Sequence, residues 1–329
     1  MELHLNYTPA PSPIKISHAD KLLLIGSCFA ENIAEKLLAN KFNAVVNPNG
    51  ILFNPISIAS AIISYIKNES GTKYGINNNL YFSFEHHGSF SSPVKNELTE
   101  KINSSIQHAH NALKEARFLI ITFGSAFAYR HIKSNEIVAN CHKLPQQDFK
   151  RELLSAQTIV SEYSSLIKLL KEFNPNLNII LTVSPVKYLR DGLIENNLSK
   201  AILIQSVHSL TSPDSEPSTP NYSYFPAYEL VNDDLRDYRF YKEDMAHPNE
   251  QAVNYVWEKF SDCYFTNETK LLNQKINEIN KAALHKPFFA GSKAHLDFTE
   301  NYLNKCKSLS KEFPECDFSK EINIFSNHG

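Results

Sequence analysis

The sequence predicts an α/β fold, an open and mainly parallel sheet with helices on both faces. Three observations carry that prediction. Short continuous apolar runs, such as Lys21 to Ile25 (KLLLI) and Phe118 to Thr122 (FLIIT), have the pattern of strands buried on both faces. Between them lie longer stretches with apolar residues at three- and four-residue spacing, the period of an amphipathic helix. The two patterns alternate as far as about residue 264, after which only the helical one continues.

Each element has its own signal. KLLLI ends at Gly26-Ser27-Cys28, and Phe29, Ile33 and Leu37, beside Ala30, Ala34 and Leu38, mark the first helix. Asn43 to Val46 is a second strand, closed by the turn Asn47-Pro48-Asn49-Gly50. Pro55 stands at a first helical position, continued by Ile58, Ala61, Ile62 and Tyr65. Residues 71–95 break the rhythm: three glycines, three consecutive asparagines and the alternation Tyr81-Phe82-Ser83-Phe84 predict a hairpin insertion. A helix over Glu97 to Arg117 leads into FLIIT, which ends at Gly124. Ile137 to Ala139 reads as a short strand before Asn140-Cys141-His142-Lys143. A long helix is expected over Asp148 to Phe173, and a strand over Ile179 to Val183 that ends at Ser184-Pro185. A helix over Leu193 to Leu210, a Ser/Pro-rich loop from Thr211 to Pro220 and a last strand within Tyr222 to Val231, interrupted by Pro226, complete the series. The chain is thus expected to divide into an α/β domain, 1–263, and a helical extension, 264–329. In such sheets ligands sit outside the carboxyl ends of the strands. Those ends carry Gly26-Ser27-Cys28, Gly50, Gly124 and Ser184-Pro185.

Composition narrows the function. With 33 Lys+Arg against 35 Asp+Glu the formal net charge is -2, which gives no long-range field for DNA or an anionic membrane. The 21 Phe and 15 Tyr supply ample apolar area, which excludes global disorder. The N-terminal stretch lacks a basic region followed by an apolar core, and no run is long enough to span a bilayer, so a cytoplasmic location is expected. Five scattered cysteines, with no C-x-x-C pair, point to a reducing compartment and to no zinc or redox site. Walker A, G-x-G-x-x-G, H-E-x-x-H and the G-x-S-x-G elbow are all absent. No cofactor and no metal is expected.

Two local features carry chemistry. Ile25-Gly26-Ser27-Cys28-Phe29-Ala30 is a small-residue turn at a strand–helix junction, where free N–H groups and the helix dipole favour negative charge. Such a position lowers a thiol pKa and can hold an oxyanion. The second feature, Asp244-Met245-Ala246-His247-Pro248-Asn249, precedes a helix with the apolar face Ala252, Val253, Val256, Trp257 and Phe260. An Asp three residues before a His can reach its ring N–H, orient the imidazole and stabilise its protonated form. Taken singly, each feature is also consistent with ordinary helix capping.

These residues resemble those of the GSCFA family, whose motif stands here as Gly26 to Ala30. The resemblance runs from about Leu22 to Phe260. It includes Asn47-Pro48-Asn49-Gly50-Ile51-Leu52-Phe53-Asn54-Pro55, Val138 to Lys143, Ser184-Pro185-Val186 and Asp244-x-x-His247. The family is grouped with the SGNH/GDSL hydrolase superfamily, which implies a three-layer α/β/α, flavodoxin-like sheet and an esterase-type hydrolase working through an acyl-enzyme. That superfamily begins with Gly-Asp-Ser, whose Ser is the nucleophile. Aligning Gly26 with that Gly places Cys28 at the nucleophile; a shifted register makes it Ser27. Adjacent residues at a helix start point about 100° apart, so one of the two faces His247. Gly50 matches the second block, a backbone N–H donor to the oxyanion. The third block's Asn is missing after Gly124, which leaves either Ser125 or Asn140 to supply the last donor, with His142 and Lys143 lining the same pocket. The implied substrate is an acyl ester, most simply an acetyl ester, of a small molecule or carbohydrate. Tyr222, Tyr224, Phe225, Tyr228, Tyr238 and Tyr241 form a candidate aromatic wall for a sugar. An acyltransferase on the same site, or an inactive scaffold that binds a glycan or other ligand, are the alternatives.

Overall fold

A computed structural model of the chain describes residues 6–71, 73–212 and 222–327. Five strands form one parallel sheet: β1 (Lys21–Gly26), β2 (Asn43–Val46), β3 (Phe118–Phe123), β4 (Asn178–Val183) and β5 (Tyr222–Phe225), in the order β5-β4-β3-β1-β2. All four pairings are parallel, with Leu22 opposite both Ala44 and Phe118 and Ile179 opposite both Leu119 and Tyr222. This is the flavodoxin-like order, and it places the turns at the carboxyl ends of β1 and β3 side by side.

The alternating side chains of each strand feed two cores, the reason the runs are apolar throughout. On one face, Leu23, Ile25, Leu119, Ile121 and Leu181 pack against α2 (Pro55–Lys67), α3 (Lys95–Glu115), α4 (Ala156–Phe173) and α5 (Leu193–Thr211). On the other, Leu22, Leu24, Ile120, Ile180 and Phe225 pack against α1 (Cys28–Ala39) and α6 (Glu250–Tyr264). The result is a three-layer α/β/α domain. Three further helices, α7 (Asn267–Ala283), α8 (Lys293–Glu312) and α9 (Ser319–Asn327), enclose a separate cluster of Leu272, Ile276, Ile279, Cys306, Leu309, Phe318 and Phe325. All five cysteines are free. Among the described residues, no helix is long and apolar enough to cross a membrane.

Two small antiparallel sheets stand beside the main one. The first joins Tyr74–Asn77, Leu80–Ser83 and Ser91–Ser92. Its tight turn uses Asn78 and Asn79 at φ 48 and 60, the left-handed pair that a two-residue hairpin needs. The second places Phe127–His131 between Glu136–Val138 and Phe149–Leu153. It corrects one expectation. The helix expected from Asp148 begins only at Ala156, because Phe149-Lys-Arg-Glu-Leu pairs with Phe127–His131, an unrecognised strand. Ser155 then caps α4 by accepting from the Thr158 N–H at 3.1 Å. The last strand stops at Phe225; Pro226 ends the ladder, and residues 227–235 turn helically. Most of the loop expected over Thr211 to Pro220 lies outside the described residues.

Candidate active site

The carboxyl end of β1 is built around Gly26. At φ +138 it occupies backbone space that side chains disfavour, and a Cβ there would fall on the Thr122 carbonyl oxygen of β3. That close approach lets the Ser27 N–H donate to Thr122 O at 3.1 Å. Asn47, at the end of β2, accepts the Gly26 N–H on Oδ1 at 2.9 Å, and its Nδ2 faces the Glu31 carboxylate at 3.3 Å. The turn is therefore held from both neighbouring strands.

Ser27 and Cys28 differ in what they can do. Ser27 is 1% exposed and caps α1, its Oγ accepting from the Phe29 N–H at 3.4 Å. Cys28, the first residue of α1, stays half-buried. The helix start was expected to lower its thiol pKa, and here the structure differs. Burial raises it, Glu31 one turn along raises it further, and the N–H groups of Cys28 and Phe29 with the charge of Lys200 offset only part of that.

Asp244 and His247 meet on their loop. Asp244 Oδ2 lies 2.6 Å from His247 Nδ1, and Oδ1 accepts the N–H groups of Ala246 and His247 at 3.0 Å each. These contacts hold the carboxyl down at about 2. Both side chains are close to half exposed. The loop is pinned to the sheet by the Lys187 N–H, which donates to Ala246 O at 3.0 Å, and Lys187 lies just beyond the Ser184-Pro185 turn that follows β4. Tyr238 and Tyr241 flank the Lys187 ammonium at 4.1 and 3.8 Å.

Helix direction places the two features at one end of the domain. α1 starts at the carboxyl end of β1. α6 finishes at Tyr264, whose carbonyl accepts the Ile16 N–H ahead of the amino end of β1, so its start lies at the carboxyl end. Phe29 and Ile33 of α1 share a core with Val253, Val256 and Phe260 of α6. Cys28 and His247 thus stand at the starts of two packed helices on the same edge and the same face of the sheet.

The expected oxyanion donors fare differently. The Gly50 N–H is spent inside its own turn, donating to Asn47 O at 2.7 Å, because φ +74 folds the backbone back on itself. The N–H groups of Gly124 and Ser125 both go to Phe53 O, at 2.9 and 3.0 Å. Ser125 is buried, its Oγ accepting from the Phe127 N–H and paired with Ser199 Oγ. Asn140 uses Oδ1 to accept the His142 N–H at 2.7 Å, leaving its amide nitrogen as a donor. His142 is chiefly a stitch between segments: its Nε2 meets Ser83 O at 2.7 Å and its ring stacks on Phe82 at 4.2 Å.

A cavity of about 400 Å³ lies beside this edge, lined among others by Phe53, Ser125, Asn140, Cys141, Tyr188 and Arg190. Its wall backs onto the Ser27-Cys28 turn, since a Cβ on Gly124 would stand 3.1 Å from Phe53 O and 3.2 Å from Ser27 Cβ. A larger cavity, about 860 Å³, shares Val138 and Ala139 with it. Neither is lined by Cys28 or His247. Burial pushes the Cys141 thiol up to about 11 against the pull of Arg190. The six aromatic residues do not make one wall: Phe225 and Tyr241 are core, and the Tyr224 hydroxyl is tied to Glu229. Among the described residues, no group of three His, Cys, Asp or Glu side chains is gathered to hold a metal.

Sequence reasoning passed over Asn47, Glu31 and Lys200. Lys200 had a signal, because it stands three and seven residues before Leu203 and Val207, the spacing of one buried helix face. Asn47 and Glu31 had none, since both act through contacts formed between elements.

The family model described as "GSCFA family" matches residues 21–260. The model "GSCFA domain protein, C-terminal domain" matches residues 276–328. No curated protein matches the chain. Among solved structures, a carbohydrate esterase of family 3 from Talaromyces cellulolyticus is 11% identical with a TM-score of 0.32, over 79% of this chain and 99% of that one. An acetyl xylan esterase from the rumen bacterium Butyrivibrio proteoclasticus is 12% identical with a TM-score of 0.37; the match covers 80% of this chain and 65% of that one. The first family model spans the sheet from β1 to the helix that follows the Asp244–His247 loop, and on that match the chain belongs to the GSCFA family.

Proposed function

We propose that the protein is an ester hydrolase of the SGNH type, acting by acyl transfer on an acetyl or similar ester of a carbohydrate or small molecule. The observation that carries this reading is the Asp244–His247 pair, set at the same sheet edge and face as the Ser27-Cys28 turn. An imidazole oriented through Nδ1 by a carboxylate presents Nε2 as a general base. Cys28 is favoured over Ser27 as nucleophile, because the Ser27 hydroxyl is buried in its capping bond whereas Cys28 is partly open.

In this mechanism His247 takes the thiol proton as Cys28 Sγ attacks the ester carbonyl. The base is needed because burial keeps Cys28 protonated at neutral pH. The tetrahedral oxyanion is met by the Cys28 N–H at the start of α1 and by the Asn140 amide. His247 then protonates the leaving alcohol, and water, activated by the same imidazole, releases the acyl group and restores the thiol. The 400 Å³ cavity next to Ser27 accommodates the acyl or alcohol part.

Turnover of p-nitrophenyl acetate tests the reading. Cys28→Ala and His247→Ala are expected to lower kcat by about a hundredfold or more, with Ser27→Ala losing stability before turnover. Wild-type turnover no greater than that of His247→Ala across a panel of acyl esters would remove the hydrolase assignment.

A further inference from the structure

The cavity of about 400 Å³ beside the Ser27-Cys28 turn carries two positive charges and no negative one. Lys143 and Arg190 line it, and among the described residues of its wall none is Asp or Glu. The chain as a whole has 35 acidic residues against 33 basic ones, so this balance is not that of the surface at large. Among the described residues, neither Lys143 nor Arg190 is ion-paired through its side chain. The adjoining cavity of about 860 Å³ shows the other arrangement. Its two cations, Lys73 and Arg130, are each held by a carboxylate of the same wall, Glu136 at 2.5 Å and Glu152 at 2.6 Å.

The two charges reach one space from separate segments. Lys143 follows His142 in left-handed backbone, at φ 57 and 49, a conformation that costs free energy outside glycine. The loop is held there by its neighbours. Asn140 Oδ1 accepts the His142 N–H at 2.7 Å, Asn77 Nδ2 donates to His142 O at 3.0 Å, and the Leu144 N–H donates to Cys141 O at 3.0 Å. Arg190 comes from the turn Leu189–Asp191 beyond β4, and its charge is felt at the Cys141 thiol on the same cavity wall. Beside the cations the wall is aromatic: Phe53 and Tyr188, with ring centres 6.4 Å apart, and Phe127. Cations without counter-charges around one concave space raise its potential and favour an anion. The rings add apolar area, which an organic anion covers and a small inorganic ion does not.

We propose that this cavity takes the anionic group of the substrate, a carboxylate or a phosphate, and that the ester hydrolysed is therefore one of an acidic sugar or other organic anion. Lys143 and Arg190 select the charge, and Phe53, Phe127 and Tyr188 receive the body that carries it. The substrate class rests on the hydrolase reading; the anion site rests on the cavity alone.

The experiment has a binding arm and a turnover arm. Glucuronate, glucose 6-phosphate and glucose are titrated into the full chain by calorimetry. At least one of the two anions is expected to bind about tenfold or more tightly than glucose, and which one does so tells carboxylate from phosphate. Lys143→Gln and Arg190→Gln are each expected to weaken that anion about tenfold. Both side chains are exposed, so glutamine at either position leaves the fold intact. Anions that bind no better than glucose, or that bind both variants as they bind wild type, overturn the proposal. In the turnover arm, acetyl esters of the same three sugars are compared. The ratio of kcat/KM for the charged ester to that for the neutral one is expected to be about ten or more in wild type and near one in the variants. A ratio near one in wild type overturns the substrate class. Anion binding that depends on Lys143 and Arg190, with no ester turned over, sinks the hydrolase and keeps the anion site. Equal turnover of charged and neutral esters without anion binding does the reverse.

Discussion

Asp244 performs two tasks with one carboxylate. Oδ1 closes the turn by accepting two backbone N–H groups, and Oδ2 holds the imidazole. Its folded pKa, about 2, lies below the ordinary 3.8, so the charge opposite His247 is present at every pH above that range and is lost only in strong acid. Asp244→Asn keeps an oxygen for the turn and removes the charge that stabilises imidazolium. Turnover of p-nitrophenyl acetate is expected to fall about a hundred- to ten-thousandfold. The melting temperature should hardly move, because the pair is exposed and such pairs add little stability. Wild-type kcat in this variant would take Asp244 out of the site.

The hairpin insertion shows how an element brings its own pH dependence. His86 lies in the bend between Leu80–Ser83 and Ser91–Ser92, 1% exposed, with Nδ1 2.9 Å from Ser83 Oγ and Nε2 unpaired. Burial first, and the neighbouring His142 second, hold its pKa down from 6.5 to about 4. Between those values the unfolded chain binds the extra proton, so stability present above pH 6.5 is lost as pH falls toward 4. The loss amounts to about 3 kcal/mol at most. In urea titrations, His86→Asn should flatten this acid limb while keeping a donor for Ser83. An acid limb as steep as that of wild type would assign the lost stability to another group. The second small sheet teaches a different lesson. Phe149 to Leu153 has too little alternation to announce a strand, and its pairing with Phe127–His131 is a property of two segments together.

At the scale of the whole molecule, the C-terminal helices are fastened to the α/β layers by one buried ion pair. Lys41, just after α1, reaches both carboxylate oxygens of Glu321 on α9 at 2.7 Å. Both side chains are largely buried, and the ammonium also lies 5.6 Å from the centre of the Phe318 ring. Asn280 of α7 adds a bond to Ala39 O. Lys41→Met strands the Glu321 carboxylate in a low-dielectric site and is expected to cost about 3 kcal/mol in chemical denaturation. Lys41→Met with Glu321→Leu should recover most of that loss. Additive losses would mean that the pair is not what couples the two parts.

The layered fold was legible in the sequence because strands buried on both faces must be apolar throughout, and their flanking helices must repeat at 3.6 residues. KLLLI, FLIIT and the stripe from Phe29 to Leu37 carry that information locally. Asp244 and His247 were equally legible, since three residues of chain separate them. What needed tertiary structure were the properties set by contacts between distant segments. The Cys28 pKa rises because of burial and Glu31, against the expectation from a helix start alone. Gly50 loses its N–H to the fold of its own turn, and Ser27 gives its hydroxyl to a cap. Lys200 reaches the Gly124 and Ser184 carbonyls only when α5 lays it across the ends of β3 and β4, 76 and 16 residues away along the chain. Periodicity reports which face of an element is buried; which charge that face meets is decided by packing.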